Sequence, residues 1–230
     1  MQLHRTTSCT AAGHREVTLQ LAKPSPLPDL HRILIDYFEA AVSRGMRFLP
    51  NQTIQLGWSV LRLCERDDGT LGVEERALAP EVTWIEAVDR ALADVWTQRE
   101  IARSVGLADA LAFPYQDDRA LVANCVLEAT ELVMTRVSGD DLPAGFSGWM
   151  LACARDHDHG ERAYVPLIAV ATMQPALVQL LALPHDTSVL VVFRWKPSGP
   201  SGAMRIEPHI FRRGEEIIPA AGSYLAALQG

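Results

Sequence analysis

Between Phe146 and Val192 the chain reads FSGWMLACARDHDHGERAYVPLIAVATMQPALVQLLALPHDTSVLVV, a run that restricts the fold more than any other. An apolar segment, Trp149 to Cys153, gives way to the polar tract Arg155 to Arg162, so a strand must end there. Val165-Pro166-Leu167 opens a second apolar run. Pro175 renews it as a helix, since proline is tolerated in a first helical turn, and Pro184 closes it. Thr187 to Trp195 is rich in β-branched residues and predicts a strand. The local order is strand, acidic loop, helix, strand.

Upstream, EVTLQLA alternates apolar and polar side chains before the breaker KPSPLP, which predicts one short strand ending near Leu21. From Asp29, the residues Leu30, Leu34, Tyr37, Phe38, Ala41 and Val42 recur at helical spacing, and Gly45 supplies a stop. Thr53 to Glu65 alternates, Asp67-Asp68-Gly69 turns the chain, and Leu71 to Glu74 completes a hairpin. Thr83 and Glu86 have the spacing of a capping box, predicting a helix whose face is Ile85, Val88, Leu92, Val95 and Trp96 and which ends near Gly106. LADALAFPYQDDR, with its proline and adjacent charges, is the expected joint between an N-terminal part, 1–118, and a C-terminal module, 119–230. That module begins with two strand-like runs, Leu121 to Leu127 and Glu131 to Val137. Its late strands are joined through KPSGPSG, and Ala220 to Gly230 predicts a short final helix. Hairpin signals outnumber strand-helix-strand units, so the expected fold class is α+β with a mostly antiparallel sheet and amphipathic helices packed on it.

With 230 residues, 48% of them hydrophobic, the chain buries enough surface for a core without staples. Cys9, Cys64, Cys125 and Cys153 form no close pair, and three lie in apolar strand-like runs where a thiol acts as a small hydrophobe. This usage suits a reducing compartment. The first residues carry no signal-peptide core, and no run approaches the ~20 apolar residues that span a bilayer. The expectation is a cytoplasmic protein with no membrane partner. The 21 Lys and Arg against 28 Asp and Glu give a net charge of -7, which argues against a nucleic-acid partner and mildly favours a basic one.

Phosphate-cradling loops, dinucleotide fingerprints, nucleophile elbows and HExxH are all absent from the sequence. The tract Asp156-His157-Asp158-His159-Gly160-Glu161 is the place to look for a metal, because imidazole and carboxylate are zinc-type ligands. On an extended segment alternate side chains face opposite ways, so the two histidines share one side and the two aspartates the other. Three readings stand: a solvated loop, an acidic surface for a protein partner, or a metal site. Cys153 lies four residues before His157, but as a residue of an apolar strand it reads as a buried thiol. Asp140-Asp141, before Phe146, forms another acidic loop that could add to a field suited to a cationic protein.

The run from about Ala120 to Val192, about a third of the chain, resembles the C-terminal module of a group of bacterial polymorphic-toxin immunity proteins. The resemblance is carried by the strands from Cys125 to Val137, Ser147-Gly148-Trp149, Asp156-His157-Asp158, Pro166-Leu167, Pro175 and Leu180-Leu181. The sequence departs from that pattern at Gln174, where the family usually has an aspartate. The resemblance implies a non-catalytic α+β protein, kept in the cytoplasm to block a cognate toxin. With it go no metal, no cofactor and a protein toxin as partner. On physical grounds the expected contact residues are Asp140, Asp141, Trp149, Asp156, His157, Asp158, His159 and Glu161. The rival from another class is a metal-dependent hydrolase using the histidines and aspartates of the tract, with Glu161 as base. A non-catalytic scaffold is the third.

Overall fold

The computed structural model describes residues 1–23, 29–79, 81–138, 142–196 and 203–230, and within these the chain divides into two compact units, Met1–Trp96 and Thr97–Gly230. The segment Leu107–Arg119 belongs to the second unit, where the Ala112 N–H donates to the Ala182 carbonyl at 3.0 Å. Asp140, Asp141 and the loop 197–202 lie outside the described residues. Among the described residues, no helix is long and apolar enough to cross a membrane.

In the first unit, β1 (Gln2–Arg5), β2 (Val17–Leu21), α1 (Arg32–Ser43), β3 (Thr53–Leu56), β4 (Ser59–Glu65), β5 (Leu71–Arg76) and β6 (Trp84–Ile85) precede α2 (Asp89–Ser104), which runs on into the second unit. The strands form one sheet in the order β1-β2-β5-β4-β3, with β6 on β5. Of the apolar face expected for α1, Leu34, Phe38, Ala41 and Val42 are buried with Val17, Leu19, Leu61, Leu63 and Leu71, whereas Leu30 precedes the helix and is partly buried and Tyr37 is 40% exposed. The capping box expected at Thr83 does not form. Trp84 and Ile85 instead pair with Arg76 and Glu75 of β5, and the Arg62 guanidinium lies 4.6 Å from the Trp84 ring centroid. Sheet pairing and stacking there outcompete a first helical turn, and α2 starts at Asp89.

The second unit follows with β7 (Arg119–Ala123), β8 (Glu131–Arg136), β9 (Phe146–Cys153), β10 (Arg162–Pro166), α3 (Leu167–Met173), β11 (Thr187–Lys196), β12 (Ala203–Arg212), β13 (Glu215–Glu216) and α4 (Tyr224–Gln229). The sheet order is β10-β7-β9-β8-β11-β12-β13. The first expected strand stops at Ala123 and turns through a 3-10 segment, Asn124–Glu128; the helix expected at Pro175 is also 3-10, over Pro175–Leu180. The fold class is α+β as expected, but the sheets are mixed rather than mostly antiparallel. β2 runs parallel to β5, and β7 runs parallel to β9. A parallel pair needs a long connection, and helix α1 with the β3-β4 hairpin supplies one in the first unit.

Each residue of Ser147-Gly148-Trp149 has a structural task. The β7–β9 register steps from Arg119↔Phe146 to Leu121↔Met150, so the triplet forms a bulge. The Ser147 hydroxyl donates to the Arg119 carbonyl at 2.9 Å, and the Trp149 indole N–H donates to the Leu181 carbonyl at 3.0 Å. Gly148 has φ +83°, and a Cβ there would sit 2.7 Å from the Val137 carbonyl oxygen. Gly148→Ala is therefore expected to lose about 1–3 kcal/mol through backbone strain alone. Urea unfolding checks this, and a midpoint equal to wild type would mean that the bulge tolerates a side chain.

Candidate functional site

The polar tract begins where β9 ends, and both of its ends are held by the backbone. Ala154 N–H donates to the Glu131 carbonyl at 3.0 Å, and Asn124 N–H donates to the Glu161 carbonyl at 3.1 Å. Residues 154–161 thus form a loop anchored beside Cys153 at one end and beside Cys125 at the other.

Both histidines turn towards those cysteines. His157 Nε2 lies 3.0 Å from Cys153 Sγ; His159 Nδ1 lies 3.4 Å from Cys125 Sγ and 3.7 Å from Cys153 Sγ. The two imidazoles meet edge to face with centroids 4.8 Å apart. All four potential ligand atoms lie within 4.8 Å of one another, and both thiols are free. Cys153 is buried, Cys125 and His159 are half-buried, and His157 is exposed.

The expected contact residues are placed unequally. Asp156, His157, Asp158 and Glu161 are exposed and His159 is half-buried. Asp158 folds back to accept the Gly160 N–H at 3.0 Å. Trp149 corrects an expectation: it is 0% exposed, enclosed because the bulge turns its indole towards Leu181, and so it cannot contact a partner. The metal-hydrolase reading grouped the histidines with the aspartates; in the structure they gather with the cysteines. The sequence signal for this was Cys-x3-His-x-His from Cys153 to His159, to which the fold adds Cys125.

Beside the loop, the open face of the second sheet forms a groove of about 590 Å³. Leu121, Val133, Met150 and Ala152 form its floor, and Arg155, Asp156, His159 and Arg162 line it as well. The period-two alternation of β8 and β9 explains the floor: Met134 and Leu151 point into the core, and Val133, Met150 and Ala152 point the other way, half-buried. Tyr164, opposite Leu121 on β10, is 50% exposed, with Phe146 packed edge to face at 5.6 Å and the Arg119 guanidinium 5.6 Å from its ring centroid. Directly opposed residues of an antiparallel pair share a face, so Tyr164 extends the groove to the sheet edge. It carried no sequence signal beyond being aromatic. Comparison with protein-family models, with curated proteins and with solved structures finds no match to this chain, so the chemistry of the groove and its loop carries the functional reading.

Proposed function

We propose that this chain is a cytoplasmic immunity protein that neutralises a cognate toxin by tight, non-catalytic binding at the groove. The carrying observation is the groove itself: an apolar floor of Leu121, Val133 and Met150, a half-exposed aromatic at its edge, and charged side chains at its margin. An apolar centre with a polar rim is the anatomy of a protein interface, and aromatic residues supply much of the affinity there. Tyr164 takes the anchoring role that the sequence reading sought in Trp149. At the margin Asp156 stands with Arg155 and Arg162, so the rim offers contacts to both signs of charge; exposed Asp158 and Glu161 on the adjoining loop and the net charge of -7 favour the approach of a basic toxin. The resemblance carried by Ser147-Gly148-Trp149 and the tract Asp156-His157-Asp158 supports the same reading.

The test is recovery of the partner from the native host after a high-salt wash, followed by expression of that partner alone and together with this chain. One stoichiometric protein, toxic alone and harmless when co-expressed, is the expected result. Tyr164→Ala is expected to weaken binding by roughly 2 kcal/mol or more, as at an interface anchor. Combined Asp156→Lys and Asp158→Lys substitutions should slow association, chiefly at low salt, with unchanged unfolding midpoint. Wild-type affinity in both variants would remove the groove as the binding surface.

A further inference from the structure

We propose that Cys125, Cys153, His157 and His159 bind one zinc ion in a closed four-coordinate site that fastens the loop 154–161 to the sheet. This inference is independent of the immunity reading, because it rests on ligand chemistry alone.

The distances fit the ion. In a tetrahedron with Zn–S of about 2.3 Å and Zn–N of about 2.0–2.1 Å, sulfur and nitrogen ligands stand roughly 3.6 Å apart. Three of the four sulfur–nitrogen separations are 3.0, 3.4 and 3.7 Å, and no pair among the four ligand atoms exceeds 4.8 Å. These three lie within about 0.6 Å of the tetrahedral spacing, and the wider pairs, up to 4.8 Å, close by about an ångström when a metal is seated. Two thiolates and two imidazoles are a soft S2N2 set, which selects zinc over magnesium, calcium or manganese. Binding converts both thiols to thiolates and releases two protons to solvent, so the two negative sulfurs balance the dication. The Cys153 N–H, 3.5 Å from Cys125 Sγ, is placed to stabilise the charge on that thiolate.

The ligands come from parts of the chain held in register without the metal. Cys125 sits on the 3-10 turn after β7, Cys153 closes β9, and the histidines lie between the two backbone bonds that anchor the loop. Exposed His157 leaves the ion a path from solvent. Four protein ligands leave no position for a substrate or an activated water, which marks the site as structural. The rival is a Cys153–His157 nucleophile and base, whose 3.0 Å spacing is suitable. That pair has no use for Cys125 and His159, whereas a zinc ion uses all four. With the metal bound, the loop is closed and holds Asp156 and Asp158 in fixed positions on its exposed side.

The test uses the full chain, purified under reducing conditions and measured for zinc by elemental analysis, then stripped and titrated with Co(II). One zinc per chain is expected, and cobalt should give thiolate charge-transfer absorption with the intense visible bands of tetrahedral coordination. His157→Ala changes an exposed side chain and spares the sheet, so it should fold as wild type. It is expected to weaken metal binding beyond the ~10–100-fold that loss of an outer-shell partner costs. Cys64→Ser, in the first unit and not among the four ligands, should bind as wild type. Hydrogen exchange in 154–161 should speed up on chelation. The proposal is overturned by a wild-type protein without stoichiometric zinc that also gives no thiolate–cobalt absorption. Undiminished affinity in His157→Ala would overturn it too, as would a Cys125–Cys153 disulfide in place of the thiols.

Discussion

Arg136→Met is expected to destabilise the second unit by about 3–5 kcal/mol, the range for stranding buried polar groups around a lost charge. Arg136 ends β8 and is 4% exposed. Its Nε donates to the Ser147 carbonyl at 3.2 Å, and its Nη1 faces the carbonyls of Ala112, Leu181 and Leu183 at 2.5, 3.2 and 2.6 Å. The guanidinium also lies 5.6 Å from the Trp149 ring centroid. One side chain thus gathers the segment before β7, the bulge of β9 and the chain leading into β11. Burial pulls its pKa down to about 10, so at neutral pH it is still a cation, solvated by carbonyl dipoles in place of water. Methionine fills similar space but donates nothing, leaving those carbonyls short of a donor. Arg136→Lys keeps the charge on a single nitrogen that cannot serve both Ser147 and the opposite carbonyls, so it should rescue only part of the loss. Urea unfolding followed by tryptophan fluorescence measures both. A methionine variant within about 1 kcal/mol of wild type would show that the hub is dispensable.

The first unit should be more stable near pH 5 than near pH 8. Burial raises Glu75 from 4.5 to about 7, opposed by the Ala91 N–H that it accepts at 2.8 Å. Burial likewise raises Asp94 from 3.8 to about 6, opposed by the Trp58 indole N–H at 3.0 Å. For both acids the folded protein holds its proton more tightly than the unfolded chain. Between the unfolded and folded values the native state therefore binds more protons, and stability falls as pH rises through that window. For Glu75 alone the loss is on the order of 3 kcal/mol between pH 4.5 and 7.

Glu16 acts in the opposite direction. Burial pushes it up, but hydrogen bonds from the Thr6 hydroxyl, the Thr10 backbone and hydroxyl, and the Cys9 N–H bring it down from 4.5 to about 2. Its contribution is present above pH 4.5 and is lost as pH falls towards 2. The two trends leave a maximum in mildly acidic solution. Glu75→Gln, neutral at every pH and still able to accept from Ala91, should flatten the alkaline side. Thermal midpoints across pH 3–9 test this. A midpoint that holds level or rises from pH 5 to 8 would contradict the buried-carboxyl account.

Local pattern determined much of this protein. The apolar spacing of Leu34, Phe38, Ala41 and Val42 specified both α1 and its buried face, and alternation in Glu131 to Arg136 specified β8. The polar run from Arg155 reads as a loop, and it is one up to Glu161, with Arg162 already pairing in β10. These features were legible because period and polarity are properties of a few neighbouring residues. What needed the folded chain was every partnership between distant residues. Thr83 and Glu86 have the spacing of a helix cap and Ile85 falls on an apolar helical face, yet β5, beyond its short pairing with β2, takes Trp84 and Ile85 as a strand. Trp149 looks like an anchor in sequence, and the bulge at Gly148 turns it inward to Leu181. The parallel alignment of β7 with β9, and the meeting of Cys125 with Cys153, His157 and His159, arise from the same cause. Closing a loop between distant residues costs entropy that only the packing of whole elements returns, so these contacts are written in no single stretch of the chain.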